Sequence, residues 1–492
     1  VRKELLKAAG LAGALLAFLL ASGAGLDHKQ CITLAVVSLM ALWWFTEAVE
    51  LYITALVPVV VFPLVGIMPL DDVAPLYMKE IIFLFIGGFL FAFAMEKWNL
   101  HRRIALKILM YTRGSPQLML LGFMLSSYLL SMWILNTATV TMLLPAVLAV
   151  TADLVSNQSQ ATSSSPATPH LLGLTFASSI GGMATIIGTA PNIVFLEANN
   201  TAPANTYQLT FANWAMMALP LSLVLFAGTF VLLTVLFRKT LNSARPDIGK
   251  IRESYRQLGP VKTEERVLLF LLVTQVALWV FMNDINFGSF TMPGWGNAFS
   301  YTTADGSTEP FLTESSVAIS VAFLLFLIPS GGKGDYMITW SDAKRIPIGV
   351  IFLFGAGFAL GKAVEVSGLA GEMSSALQGL SHVHPIVLVV LACVMITVIS
   401  ELASNLATIM LFIPVLFAVQ PYVDCHPMQL YMPTALAASC GFMLPIATPP
   451  NTIVFATEQI KMRDMVRAGF WLDLFAIVTL GVLGYVFVGW VV

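Results

Sequence analysis

Charge is the scarcest property of this sequence. Only 11% of its 492 residues are Asp, Glu, Lys or Arg, where a soluble globular domain carries about 25%. That deficit excludes an ordinary soluble enzyme and a disordered scaffold. The formal net charge is −2, so bulk attraction to nucleic acid is excluded as well. Cysteine is scarcer still. Cys31, Cys393, Cys425 and Cys440 are scattered singly, which rules out a disulfide framework and a cysteine metal site. What remains is apolar: 58% of the residues are hydrophobic. A membrane-crossing helix takes about 20 apolar residues, which leaves room for about ten to twelve of them in a bilayer.

Apolar windows predict spans near 8–25, 31–48, 50–68, 81–96, 170–198, 212–237, 266–283, 312–330, 347–365, 429–458 and 468–491. Two further apolar stretches, 116–150 and 384–420, are each cut by a polar cluster and read as re-entrant hairpins. Non-helical backbone at membrane depth survives only where protein buries it or water reaches it. The expected fold is an all-α polytopic membrane protein with about eleven transmembrane helices and two hairpins.

Basic residues set the orientation, because short cytoplasmic loops are rich in Lys and Arg. Lys97, Arg102, Arg103, Lys107 and Arg113 fall in one loop, and eight basic residues from Arg238 to Arg266 in another. The loops 199–211 and 284–311 hold no Lys or Arg, but do hold Asp284, Asp305 and Glu309. Threading eleven spans puts the basic loops on the side of the amino end, which is therefore expected in the cytoplasm. The segment 1–30 has the outline of a signal peptide; it is read as a retained first transmembrane segment because so many spans follow it. The Ser/Thr-rich stretch 151–169 reads as a connector, and the charged stretch within 241–265 as a cytoplasmic linker helix with Pro246 near its start.

That linker divides a duplication, with repeat 1 over 31–240 and repeat 2 over 266–492. Residues 81–100, IIFLFIGGFLFAFAMEKWNL, align with 350–369, VIFLFGAGFALGKAVEVSGL, at an offset of 269. The same offset pairs Ser131 with Ser400, Asn136 with Asn405 and Pro145 with Pro414. At an offset of 259, Gly188-Thr189-Ala190-Pro191-Asn192 meets Ala447-Thr448-Pro449-Pro450-Asn451. Each unit has five spans and one hairpin, and an odd number of spans inserts the second copy upside down. Inverted repeats with broken helices are a transporter signature, with the binding site near the midplane.

The polar clusters supply the chemistry. Each hairpin tip has a hydroxyl residue and, five positions on, an Asn, which offers both an acceptor and donors. Helices that start after a break point their positive dipole ends at the tip. The Pro-Asn segments break their own spans, since Pro removes a donor. Unwound carbonyls suit a cation and freed N–H groups suit an anion, so one hairpin and one broken span per repeat would make two related ion sites with an anion between them.

The motifs SMWILNTATVTMLLP at 131–145, SIGGMATIIGTAPN at 179–192, ELASNLATIMLFIP at 401–414 and FMLPIATPPNTIVFA at 442–456 resemble those of the divalent anion/sodium symporter family of dicarboxylate, citrate and sulfate transporters. The resemblance implies a homodimer in which each protomer has a scaffold and a transport domain that moves like an elevator. It implies two Na⁺ sites: Ser131, Leu135, Asn136 and Gly188 in the first, Ser400, Asn405 and Ala447 in the second. It also implies substrate contacts from Asn136, Thr137, Asn405, Leu406 and Pro449. Two positions depart from the family's Ser-Asn-Thr motif. Leu135 replaces the first Ser, where a backbone carbonyl still offers a ligand, and Leu406 replaces the second Thr, removing a hydroxyl donor.

The expected function is thus secondary active transport of a di- or tricarboxylate such as succinate, malate or citrate, coupled to sodium, in a plasma or bacterial inner membrane. The alternatives are a sulfate or monocarboxylate carrier, an anion exchanger, and, in another class, a membrane-embedded enzyme. The enzyme lacks support from any His or Cys cluster. Among membrane carboxylates, Glu96 and Glu365 are expected as interfacial anchors, and Glu401 as a support for the second tip or a proton acceptor.

Overall fold

A computed structural model describes residues 2–112, 114–156, 164–202, 207–242, 248–286, 291–302, 308–331 and 335–492. Arg113, Arg245, Pro246, Asp305 and the middle of the 151–169 connector lie outside them. The chain is an all-α, multi-pass membrane protein. Eight helices among the described residues are long and apolar enough to cross a bilayer, and four shorter apolar stretches accompany them.

In chain order the helices are α1 (Arg2–Gly23), α2 (His28–Thr46), α3 (Val57–Leu64), α4 (Ile81–Lys97), α5 (Leu100–Met110), α6 (Pro116–Ser131), α7 (Asn136–Ser156), α8 (Thr168–Met183), α9 (Ala190–Thr201) and α10 (Phe211–Leu236). They continue with α11 (Ile248–Gln257), α12 (Thr263–Val280), α13 (Glu314–Leu327), α14 (Ile348–Val366), α15 (Leu369–Ala376), α16 (Pro385–Leu402), α17 (Asn405–Val419), α18 (Pro427–Ala437), α19 (Pro449–Phe455), α20 (Met462–Val478) and α21 (Tyr485–Val491).

The helices pack in two groups, each drawing on both halves of the sequence. In one, α4 lies along α13, α12 adjoins both, and α14 packs on the turn Ala74–Met78. Gly87 permits the closest approach of α4 to α13: an added Cβ would lie 2.7 Å from the Ala318 carbonyl carbon. Phe85 and Phe354 join α4 to α14 edge-on at 4.9 Å. In the other group, α8 is the centre, packed by α6, α7, α10 and α19, while α16 packs on α18 and α10 on α20. Every residue of α8 is buried, as befits a helix without a polar face.

Most predicted spans correspond to a helix, with informative differences. The 50–68 window holds two short pieces, Leu51–Thr54 and Val57–Leu64, because Pro58 opens a new first turn. The linker helix is shorter than 241–265: it spans Ile248–Gln257 and is followed by Gly259, at φ +67, and Pro260. The 284–311 loop carries two small antiparallel ribbons that periodicity did not foretell, Ile285–Asn286 with Thr291–Met292 and Ser300–Thr302 with Thr308–Pro310. Beside the first ribbon, the Gly294 N–H and the Asn297 amide hold the Asp284 carboxyl below its ordinary pKa. The last span is interrupted by a π-helical turn, Thr479–Gly484.

Charged pairs fasten the ends. Glu96 accepts from Arg345 at 2.7 Å, and Glu365 is held by Lys362 at 3.0 Å. Buried Arg103 on α5 pairs with Glu265 of α12 at 2.6 Å and donates to the Gly259 carbonyl at 3.0 Å, so α5 is tied to the start of α12.

Candidate functional site

Both polar interruptions of the apolar stretches are breaks between packed helices: α6 gives way to α7 at 132–135, and α16 to α17 at 403–404. At the first, Ser131 Oγ donates to Asn136 Oδ1 at 2.5 Å. At the second, Ser400 Oγ lies 2.7 Å from both Asn405 Oδ1 and the Ala438 carbonyl. At each break a serine at or near the end of one helix grips the first residue of the next, so each break is fixed by its own sequence.

In the two broken spans the donor bonds of the Asn amide repeat. Asn192 Nδ2 donates to the carbonyls of Gly182 at 2.9 Å and Thr185 at 2.8 Å. Asn451 Nδ2 donates to those of Gly441 at 2.9 Å and Leu444 at 3.1 Å. All three residue pairs are 259 positions apart. Each Asn thus ties its half-helix back across the unwound chain before it. Pro191 and Pro450 sit in the first turns of α9 and α19, where a missing N–H costs nothing.

Hairpin and break converge on oxygen. At Gly188 an added Cβ would lie 2.6 Å from the Gly182 carbonyl oxygen and 2.8 Å from that of Ser131. At Gly182 it would lie 2.4 Å from Asn136 Oδ1. The second copy gathers the same groups more loosely: a Cβ at Gly441 would lie 3.3 Å from the Ser400 carbonyl oxygen, 3.6 Å from Asn405 Oδ1 and 3.1 Å from Ala447 Cβ. Carbonyl and amide oxygens packed against side-chain-free backbone form a cradle suited to a small hard cation. The N-termini of α7, α17 and α9 begin at or beside these cradles, a setting that favours an anion.

The expected residues therefore assemble in two clusters: Ser131, Asn136 and Gly188, and Ser400, Asn405 and Ala447. Leu135, Asn136, Thr137 and Asn405 are half-buried and Pro449 is exposed, so they remain approachable. Helix α7 packs against α19, the short helix that Pro449 opens. Trp133, Leu135 and Ile187 face Phe85, Gly88 and Phe89 of α4 across a narrow crevice. Leu406 is the most enclosed of the expected substrate contacts. It is only 7% exposed and packs into the core, because neighbours at a helix start point about 100° apart.

Sequence reasoning missed Gly182 and Gly441, although their shared 259 offset was available. It also missed how Glu401 acts. Its two carboxylate oxygens accept from the N–H groups of Met443 at 2.8 Å and Leu444 at 2.9 Å, clamping the unwound segment to the end of α16. Buried Asp473 of α20 lies against the same carboxylate. The hydroxyls of Thr139 and Thr408, equivalent positions one turn into α7 and α17, are both buried without a hydrogen-bond partner.

A family model described as the sodium:sulfate symporter transmembrane region matches residues 4–492. The sodium-dependent dicarboxylate transporter SdcS of Staphylococcus saprophyticus is 34% identical over 469 residues, covering 94% of this chain and 86% of that protein. Its namesake in Staphylococcus aureus strain USA300 is 35% identical over the same length and shares of both chains. Among solved structures, Neisseria gonorrhoeae MtrF, described with a class of antimetabolite efflux pumps, superposes with a TM-score of 0.56 at 12% identity, covering 85% of this chain and 83% of that one. That likeness concerns the fold alone.

Proposed function

The chain belongs to the sodium:sulfate symporter family, and from that premise we propose that it carries a dicarboxylate across the membrane with sodium as the coupling ion. The family and the relatives are transporters and not enzymes, which sets aside a membrane-embedded enzyme. The observation that carries the reading is the doubled cradle: Ser131, Asn136 and Gly182 recur as Ser400, Asn405 and Gly441.

In this reading Na⁺ is cargo. One ion takes the oxygens of Ser131, Asn136 and Gly182 beside Gly188 and Leu135; a second takes those of Ser400, Asn405 and Gly441 beside Ala447. With Oδ1 of each Asn committed to cation and Ser, the amide Nδ2 groups and the Thr137 hydroxyl are the donors left for the substrate carboxylates. Binding of the anion then depends on prior neutralisation of the cradles, which is symport. The inverted repeat supplies two cradles of opposite orientation. The group α6–α10 with α16–α21 holds both tips and both broken spans, so it is the unit that moves as an elevator against α4 and α12–α14. Two copies pair as a homodimer, and the amino end faces the cytoplasm.

A second reading, sulfate or a monocarboxylate in place of a dicarboxylate, draws on Leu406. The second tip lacks the hydroxyl that Thr137 gives the first. Uptake into proteoliposomes, with and without a sodium gradient, separates the two when succinate, malate, citrate, sulfate and lactate are compared. Sodium-driven succinate uptake that Asn136→Ala and Asn405→Ala each abolish, with normal expression, supports the proposal. Uptake indifferent to sodium, or surviving both substitutions, overturns it.

A further inference from the structure

Lys79 stands in the short connection between the turn Ala74–Met78 and α4, with its ammonium 5.1 Å from the centre of the Phe358 ring on α14. It belongs to the framework group by both contacts. Its carboxylate partner does not. Lys79 Nζ meets Glu197 Oε1 at 2.8 Å, and Glu197 lies on α9, the half-helix that follows the first break. Both side chains are largely shielded, 23% and 14% exposed. Lys7–Glu4 lies within α1, and Lys97–Asp342, Arg345–Glu96, Lys362–Glu365 and Arg103–Glu265 stay inside the framework group or tie a connecting helix to it.

The surface around the pair is loosely packed. A cavity of about 620 Å³ opens beside it, with Lys79, Phe358 and Gly361 on one wall and Val194, Ala198 and Met410 on the other. Apolar contact at this point is therefore incomplete, and the ion pair closes the distance between the walls. The duplication does not repeat it. Position 79 corresponds to Ile348 at the 269 offset, and position 197 to Ala456 at the 259 offset. A pair of Ile and Ala has no charge to join, so the device exists at one end of the path only.

We infer that Lys79–Glu197 is a one-sided latch that holds the site-bearing group in the arrangement seen here and must open before that group can move. The inference rests on the proposed elevator motion. Sliding by more than a few ångströms separates the two charges, and a partly shielded, charge-assisted hydrogen bond resists that separation. Without a counterpart on the opposite face, the equilibrium between the two end states is tilted toward this one.

The test uses the full-length protein in detergent without sodium or substrate, so it does not depend on what is carried. Gly361→Cys provides the reporter, since an added Cβ there meets nothing within 4 Å. Cys425 is replaced by Ser, the remaining cysteines being buried. Glu197→Gln and Lys79→Gln are each expected to speed maleimide labelling of the reporter roughly three- to tenfold, the range for a partly exposed ionic bond. The charge swap Lys79→Glu with Glu197→Lys is expected to restore the original rate, which a packing role would not allow. Gel filtration confirms that each variant is folded. Unchanged labelling in both single variants, or a swap that labels as fast as they do, overturns the latch. Failure of sodium-driven uptake with the labelling pattern intact would instead overturn the transport reading alone.

Discussion

Thr175 on α8 donates its hydroxyl proton to Asn451 Oδ1 across 2.8 Å, joining the central helix of the first repeat to the broken span of the second. The bond has no twin. The residue 259 positions after Thr175 is Thr434, whose hydroxyl turns back to the Leu430 carbonyl of its own helix. Asn192 Oδ1, the counterpart of Asn451 Oδ1, is buried without a partner. One Asn amide is thus held at both ends and the other at one, so two cradles of like sequence differ in rigidity.

Thr175→Val keeps the shape and removes the donor. A buried acceptor left unpaired costs about 1–3 kcal/mol, and here the cost falls on the segment that forms the second cradle. The sodium concentration for half-maximal uptake is expected to rise about fivefold or more, given about 1.4 kcal/mol per tenfold. Thr434→Val, which frees no Asn, is expected to shift it little. Sodium activation curves for the two variants check this, and equal curves would show that the asymmetry has no functional weight.

The glycine cradle gives a steric prediction. Gly182→Ala places a methyl 2.4 Å from Asn136 Oδ1, so the amide that Ser131 Oγ holds at 2.5 Å must turn out of the cradle. Sodium-dependent uptake is expected to disappear. The second cradle already tolerates a methyl at Ala447, so Ala447→Gly is expected to retain transport with weaker sodium activation, because the freer chain must be ordered on binding. A functional Gly182→Ala protein would show that no ion sits against that amide oxygen.

Much of this arrangement was legible in the sequence, and what was missed has a common cause. Apolar windows located the long helices but not α5, which lies in a stretch read as a basic loop, nor α15; the offsets of 269 and 259 located both polar breaks and both Pro-Asn breaks. The hydrogen bonds of Asn192 and Asn451 give those offsets a physical content that spacing alone could not. Leu406 illustrates the limit: spacing alone does not say which way adjacent letters face once a helix begins, and it is buried beside a half-buried Asn405. The ribbons of 284–311 escaped because strands of two or three residues have no period to read. Glu401 was noticed, yet its partners are backbone N–H groups forty residues on, which no side-chain pattern reveals.

The orientation rests on basic residues and is checked from outside. A single cysteine in place of Gln257, in the basic 238–266 segment, is expected to resist impermeant maleimide in intact cells. One in place of Asn297, in the 284–311 loop that carries no Lys or Arg, is expected to react. The reverse pattern would invert the proposed topology.

Glu401 offers the sharpest test of whether the unwound backbone is part of the ion site. Its oxygens take one N–H each from Met443 and Leu444, and the side chain is 2% exposed. A carboxylate is acceptor-only. Glu401→Gln therefore sets an NH₂ group against one of those N–H groups, and a buried donor left unpaired costs about 1–3 kcal/mol. If the segment merely closes the fold, thermal unfolding should fall equally with and without sodium. If it shapes the second cradle through Gly441 and Ala447, sodium should lose most of its stabilising effect, since a ligand stabilises only the state that binds it. The expected result is the second: a lower melting temperature, and a sodium-induced rise reduced well below that of the parent. Glu365→Gln, an exposed carboxylate paired only with Lys362, should leave that rise intact. An undiminished sodium response in Glu401→Gln would remove the 441–447 backbone from the ion site and leave Ser400 and Asn405 to hold the cation without it.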